Sequence, residues 1–183
     1  GAKWALGQRL AECTDAAIDK DFNEGRLLRT HILRPTWHFV TPADIHWMLL
    51  ISALRVHAAS SYYYQKAGLD SATIKRTNAI IAKALQGGNQ LTRVEIASVL
   101  EKMGIRTDGE LRMGYIMMHA ELDGLICSGA RKGKQFTYAL LEERAPQGKD
   151  WEREEALAEL VSRYFSTRGP ATLQDFTWWS GLT

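Results

Sequence analysis

The chain has 183 residues, of which 45% are hydrophobic, so it can bury a core and form one or two domains. Its formal net charge of +2 is too small to indicate a nucleic-acid partner by itself. The longest apolar stretch, near residues 47–54, is too short and too interrupted to span a bilayer, and no signal peptide opens the chain, so we expect a cytoplasmic protein without a membrane partner.

The N-terminal segment predicts two helices followed by a β-hairpin. Residues 2–10 form a short amphipathic helix candidate. Either Thr14 or Asp15 is suited to cap the second helix, because both side chains accept a hydrogen bond from a free backbone N–H. Strand-like segments follow at residues 27–33 and 36–40, joined by an Arg-Pro turn.

This hairpin carries more polar side chains than the packing of a strand requires. If the first strand is regular, Arg29 and His31 share one face, and further polar residues surround the turn. Arg and His on an exposed hairpin face can contact phosphates or an opened base. The alternative is a solvated hairpin whose Trp37 and Phe39 pack on the next helix, and the sequence leaves both open. The candidate DNA contacts of the hairpin are Arg29, His31, Arg34, Thr36 and His38.

A long helix is predicted to begin at residues 41–44, Thr-Pro-Ala-Asp. This segment combines a cap residue, a proline at the first helical position and a carboxylate near the positive end of the helix. The helix can continue to Gly68 and connect two structural units. Ser71 or Thr73 is suited to cap the next helix, which ends at residues 87–88, Gly-Gly.

Residues 91–140 form the most complete pattern in the chain. Thr92 and Glu95 make a capping box, and Gly104 stands where a left-handed residue ends a helix. A second helix with one buried face follows, and then two strands joined by a basic turn at residues 129–133. The expected buried positions of this second helix are Leu111, Tyr115, Met118 and Leu122. Helix, turn, helix and hairpin are typical of a winged helix, in which the second helix is the recognition helix and the hairpin is the wing.

Positive charge is concentrated in this region. Residues 71–141 hold 10 Lys and Arg against 6 Asp and Glu, whereas the remainder holds 13 against 15. The wing turn can bind phosphates or be a solvated turn, and both interpretations remain open. In the recognition helix, Arg112 stands beside Glu110 and Glu121, a poor combination for reading bases, which favours backbone or shape recognition. The candidate DNA contacts here are Arg112, Arg131, Lys132 and Lys134.

The C-terminal segment repeats the beginning of such a unit. After a linker at residues 145–149, a helix runs to about Thr167, and Thr172 with Asp175 resembles the earlier capping pair. The fold class is therefore expected to be mainly α with small β-hairpins, an α+β arrangement of tandem winged-helix (helix-turn-helix) units. We expect a fragment truncated at both ends of a longer array. Its three parts are residues 1–68, 69–145 and 146–183.

Neither a metal nor an organic cofactor is expected from the sequence. No two of the five histidines are four residues apart, and neither Cys13 nor Cys127 has a partner at ligand spacing. Both cysteines are expected to be packed, reduced thiols. There is no Gly-rich phosphate loop and no Gly-x-Ser-x-Gly motif, so the catalytic residues, if any, stay unknown.

The hairpin and its flanks resemble a known family. Residues 29–45 read RTHILRPTWHFVTPADI, which is similar to the Arg-x-Thr-x-His hairpin of the AlkZ/YcaQ-like winged-helix proteins; AKWAL at residues 2–6 and DFTWWSGL at residues 175–182 look like the same family. The resemblance implies a bacterial protein with tandem winged helices arranged around DNA. The family includes glycosylases that excise bulky alkylated bases and unhook interstrand crosslinks. These glycosylases act without a metal or organic cofactor. It places Thr36 and His38 nearest the DNA. The family's Gln-x-Gln or Gln-x-Asp motif, associated with water activation, does not occur in the 183 residues.

The sequence therefore predicts binding of double-stranded DNA, by a monomeric fragment of a repair protein that resembles glycosylases and acts on alkylated or crosslinked DNA. The alternatives are a winged-helix DNA-binding protein or transcription regulator without catalytic activity, and a winged-helix array that contacts other proteins. The sequence leaves open whether this chain is itself an enzyme, because the resemblance carries over DNA binding and not the catalytic motif.

Overall fold

The computed structural model describes residues 2–10, 13–109 and 111–182. The described part is mainly α-helical with two small antiparallel sheets, as the sequence predicts. The elements in chain order are α1 (Ala2–Gly7), α2 (Asp15–Asn23), β1 (Leu28–His31), β2 (Trp37–Val40), α3 (Pro42–Lys66), α4 (Ser71–Leu85), β3 (Leu91–Thr92), α5 (Arg93–Lys102), α6 (Arg112–Leu122), β4 (Ile126–Lys132), β5 (Gln135–Leu140), α7 (Leu141–Arg144), α8 (Arg153–Thr167) and α9 (Leu173–Ser180).

The first hairpin is present, with shorter strands than predicted. Strands β1 and β2 pair antiparallel, and His31 stands opposite Trp37. The ladder ends there because Leu33 adopts a left-handed backbone with φ of 60°, which a regular strand does not accommodate. Leu33 therefore does not continue the face of Arg29 and His31, as a regular strand predicted. The helix before the hairpin is capped by Thr14, whose side chain accepts from the N–H of Ala17.

Helix α3 contributes side chains to both hydrophobic cores found among the described residues. Its 25 residues span about 37 Å at 1.5 Å per residue. Trp47 and Ile51 in its first half pack into one core, whereas Val56 and Tyr64 in its second half pack into the other. Among the described residues, no helix combines the length and the apolarity that crossing a membrane requires.

The central unit has the α-β-α-α-β-β order of a winged helix, from α4 to β5. Its three-stranded sheet has the order β3-β5-β4. The Thr92–Glu95 capping box forms in full, and Gly104 adopts a φ of 75° at the helix end. The wing differs from the prediction in one respect: β4 continues to Lys132 through an irregular register, so most of the predicted turn is strand.

One prediction for α6 is wrong. Leu111 precedes the helix and is 55% exposed, and Tyr115 is only half-buried, whereas Met118 and Leu122 are buried as expected. A single apolar face does not describe this helix, because it packs against α3, α4, β1 and β4 together. Its buried residues, which occupy several faces, are Met113, Ile116, Met117, Met118, Ala120, Glu121 and Leu122.

The C-terminal helices pack on the beginning of α3 and on the first hairpin. Leu160 and Tyr164 of α8 and Phe176 of α9 share one core with Leu28 and Trp47. Arg163 of α8 adds an ion pair at 2.9 Å to Asp44 of α3. Thr172 and Asp175 form the second capping box that the sequence predicted. The division into parts at residues 1–68, 69–145 and 146–183 stays a prediction.

Candidate nucleic-acid interface

A buried hydrogen-bond network lies beneath the first hairpin. Glu121 of α6 is fully buried, and its Oε2 is hydrogen-bonded to Nδ1 of His31. The same oxygen accepts from Nε1 of Trp37 at 3.3 Å. His31 is only 8% exposed, so its side chain faces the protein and not the solvent. The hairpin face that carries it is therefore not the exposed face that the sequence suggested, and a DNA contact by His31 stays a prediction.

Arg29 joins the first hairpin to the wing. Its guanidinium lies 4.3 Å from the ring centre of Trp37 on β2 and 4.2 Å from that of Phe136 on β5. Nη2 of Arg29 also donates to the hydroxyl of Tyr138 at 3.4 Å, and its backbone N–H donates to Oγ of Ser128 at 2.8 Å. Arg29 is thus half-buried between aromatic rings, where a cation holds the hairpin and the wing together.

The tip of the first hairpin is exposed on a rigid base. Arg34 and Thr36 are exposed, and Trp37 keeps 47% of its surface accessible. The two preceding residues, Ile32 and Leu33, are 1% and 2% exposed and belong to the core that α8 and α9 complete. Because both anchors are buried, the tip is held in position and can present its polar groups to a partner without first becoming ordered.

His38 lies beside this tip and is half-buried. Burial lowers the pKa of its imidazole, and the nearby charges of Arg34 and His31 lower it further, while the hydrogen bond to the carbonyl of Thr36 at 3.0 Å acts in the opposite direction. The neutral form is therefore favoured near pH 7. A neutral imidazole can hydrogen-bond a base or a sugar, but it adds no positive charge against a phosphate.

The three basic residues of the wing differ in their surroundings. Arg131 has a side chain only 15% exposed, forms an ion pair with Asp19 at 3.3 Å and lies over the ring of Phe136 at 5.0 Å. Lys132 is 65% exposed and pairs with Glu95 at 2.6 Å. The Lys132 ammonium, together with the hydrogen bonds from Thr92, lowers the pKa of Glu95 to about 2. Lys134 is exposed.

Arg112, the fourth basic candidate outside the hairpin, has a structural environment. Its Nε donates to the carbonyl of Arg106 at 2.8 Å, and its Nη1 donates to the carbonyls of Ala67 and Gly68, the latter at 3.0 Å. These bonds hold the end of α3 against the segment before α6. Glu110, the neighbouring carboxylate named from the sequence, lies outside the described residues.

A small groove separates the hairpin from the start of α6. The cavity has a volume of about 180 Å³. Its lining includes His31 and Trp37 from the hairpin, Arg93 from α5, and Leu111 and Tyr115 from the α6 region. Neither Trp37 nor Arg93 was among the DNA contacts predicted from the sequence. A large aromatic residue between Arg34 and His38 was the available signal for Trp37, but no local pattern indicated Arg93, because its position depends on how α5 packs.

The fold and these surfaces define the chain as an α+β protein of winged-helix units with two joined hairpins. Over residues 1–183 the sequence matches the family model described as DNA glycosylase AlkZ-like, so the chain belongs to the AlkZ-like DNA glycosylase family, and the resemblance of the hairpin motif is confirmed. A solved structure, the Streptomyces sahachiroi DNA glycosylase AlkZ, superposes with a TM-score of 0.73 at 23% identity. That match covers 93% of this chain and 47% of the Streptomyces chain, and at this identity it shows the fold. No curated protein matches the sequence.

Proposed function

We propose that this chain binds double-stranded DNA, as a monomer, within a repair protein that resembles DNA glycosylases and acts on alkylated or crosslinked DNA. The first contact is the exposed hairpin tip with Arg34 and Thr36, together with the half-buried His38 beside it. The lysines of the wing, Lys132 and Lys134, provide a second, sequence-independent contact. Membership of the AlkZ-like DNA glycosylase family supports a DNA-directed role.

The single observation that supports the proposal most is the anchored tip. Arg34 and Thr36 project from a base fixed by Ile32 and Leu33, and the accessible part of Trp37 lies directly beside them. An arginine and a hydroxyl are suited to phosphate oxygens, and an exposed indole is suited to stack on a base that has left the helix. Such a set of groups favours distorted DNA, because a regular duplex offers no free base to stack on.

The two hairpins would reach DNA at separate places. The end of β1 lies beside Glu121 of α6 through His31, whereas the wing lies near α2, where Arg131 contacts Asp19 and Asn23. Because contacts to phosphates set position and not sequence, separated basic tips would fix the orientation of a duplex without reading it. Arg29, Arg112 and Arg131 would act mainly by holding these tips, given their intramolecular partners.

Helix α6 is poorly suited to read a major groove. Most of its faces are buried against other elements, and Arg112 at its start is bound to backbone carbonyls. A recognition helix needs several free side chains at base edges. We therefore expect little sequence preference, which favours a repair-type partner over a transcription regulator.

The chemical step is not assigned to these residues. The Gln-x-Gln or Gln-x-Asp motif that the family resemblance associates with water activation does not occur among the 183 residues. The proposed contribution of the chain is to hold DNA and to place the hairpin beside the lesion.

Binding can be tested by fluorescence anisotropy with a labelled duplex at several salt concentrations. Arg34→Glu should weaken binding of all sequences alike, and each lost phosphate contact should reduce the salt slope by about 0.9. Lys83→Glu on α4 is the matched control, since Lys83 is exposed and carries the same charge. For the wing, the DNA affinity of the double variant Lys132→Glu/Lys134→Glu is compared with that of the double variant Lys75→Glu/Lys83→Glu. Equal losses in a test variant and its control would exclude that tip as a DNA contact.

A further inference from the structure

A cluster of metal-ligating side chains lies away from the hairpin, between α3 and the end of α6. His57 belongs to α3, and His119 and Asp123 are four residues apart at the end of α6. Nε2 of His57 is 3.2 Å from one carboxylate oxygen of Asp123, and Nδ1 of His119 is 3.0 Å from the other. One potential ligand atom from each residue lies within 4.8 Å of the other two. No sequence pattern indicated this cluster, because His57 and His119 are 62 positions apart in the chain.

The neighbours of the cluster orient its ligand atoms. Nδ1 of His57 is 3.1 Å from the hydroxyl of Tyr64, which is suited to accept its proton and leave Nε2 free as a ligand. The amide of Asn78 donates to Asp123 at 2.7 Å. Nε2 of His57 is buried and makes no hydrogen bond to any of the described residues, although the carboxylate is close. A buried ring nitrogen that lies 3.2 Å from a carboxylate oxygen without forming a hydrogen bond to it is an unexplained polar group.

We propose that His57, His119 and Asp123 bind a zinc-class divalent cation. Two imidazoles and one carboxylate are ligands that zinc takes in proteins, with bonds of about 2.0–2.2 Å. Tetrahedral bonds of that length place ligand atoms about 3.4 Å apart. The two imidazole nitrogens lie 3.2 and 3.0 Å from different oxygens of Asp123, and one ligand atom from each residue lies within 4.8 Å of the other two, so side-chain rotations would bring all three to one ion. The carboxylate also supplies the negative charge that a divalent ion needs in a partly buried site.

The fourth position of the ion would face solvent. The side chains of His57, His119 and Asp123 are 21%, 19% and 33% exposed, so the site is accessible from one side. A cavity of about 680 Å³ next to it is lined by His119, Asp123, Asn78 and Tyr64 among others. A bound ion would join α3 to α6, with Asn78 of α4 as an outer-shell partner, and would stabilise the central unit.

The test uses tag-free protein stripped with a chelator and titrated with Zn²⁺ alone by isothermal calorimetry. We expect saturable 1:1 binding and a rise in Tm with zinc concentration, because an ion that binds the folded state shifts unfolding by mass action. His57→Ala and Asp123→Asn should abolish the saturable binding. Tyr64→Phe, which removes only the outer-shell hydroxyl, should weaken the affinity about 10-fold. His38→Ala is the matched histidine control and should bind zinc as the wild type does.

Co²⁺ in place of Zn²⁺ provides a second readout, the visible absorption of the bound ion, which His119→Gln should abolish. Circular dichroism establishes that each variant is folded, and His119→Gln replaces His57→Ala if the latter unfolds. Absence of stoichiometric binding by the wild type would overturn the proposal. Unchanged affinity in the His57 and His119 variants would overturn it too, by locating the ion elsewhere. DNA binding is not a readout, so the result is independent of the proposed function.

Discussion

Glu121 offers the sharpest test of how the hairpin is held. Its carboxylate is fully buried and accepts from His31 and Trp37, which lie on opposite strands of the first hairpin. Glu121→Ala would leave the buried imidazole of His31 and the indole N–H of Trp37 without their acceptor. A buried donor left unsatisfied costs about 1–3 kcal/mol, and the cavity left by a side chain truncated to alanine adds to this, so we expect a loss of about 3–5 kcal/mol. For a chain of this size each kcal/mol corresponds to about 2–4 °C, so Tm should fall by about 6–20 °C.

Glu121→Gln separates the loss of the carboxylate from the loss of the whole side chain. Glutamine retains the volume and an oxygen that can accept from Trp37, so we expect a smaller loss of about 1–3 kcal/mol. Urea unfolding followed by circular dichroism measures both losses, provided that the slope with denaturant stays unchanged. Glu154→Ala at the exposed start of α8 is the control and should cost less than about 1 kcal/mol. An alanine variant at Glu121 as stable as this control would refute the idea that the network holds the hairpin.

Three further outcomes are expected. In urea unfolding, Leu122→Ala should cost about 2–5 kcal/mol, because Leu122 is 2% exposed, whereas Leu111→Ala at a 55% exposed position should change stability by about 0.5 kcal/mol or less. Burial lowers the pKa of His38 in the folded state. The contribution of His38 to stability is therefore present above the unfolded pKa of about 6.5 and is lost as pH falls through the folded pKa. In unfolding measured between pH 5 and 7, His38→Gln should reduce this loss of stability. The 183-residue chain should release no alkylated base from damaged DNA, which chromatography of the products would detect; base release would show that the Gln motif is dispensable.

Local features of the fold could be predicted from the sequence. Two capping boxes, at Thr92 and Thr172, formed as their spacing indicated, because a cap depends on groups three residues apart. The left-handed Gly104 and the boundaries of β5 followed from equally local rules. The family followed from a contiguous hairpin motif, which needs no knowledge of distant contacts.

Which side chains are buried, and against what, depended on the tertiary structure. The exposed position of Leu111 contradicted its place in the apolar pattern, since α6 is enclosed on several sides. His31 turned inward because Glu121, 90 residues later, supplies a buried acceptor.

The same holds for the candidate sites. The hairpin motif in the sequence predicts Arg34, Thr36 and His38 as DNA contacts. The position of this tip depends on Ile32 and Leu33, which lie in the core that α8 and α9 complete. The His57–His119 pair has no sequence signature, because the two residues are 62 positions apart in the chain. The packing of α3 against α6 brings their ring centroids to 4.3 Å. Interactions within one helical turn are fixed by spacing along the chain, whereas burial and ligand geometry are set by the packing of elements that the sequence order does not place side by side.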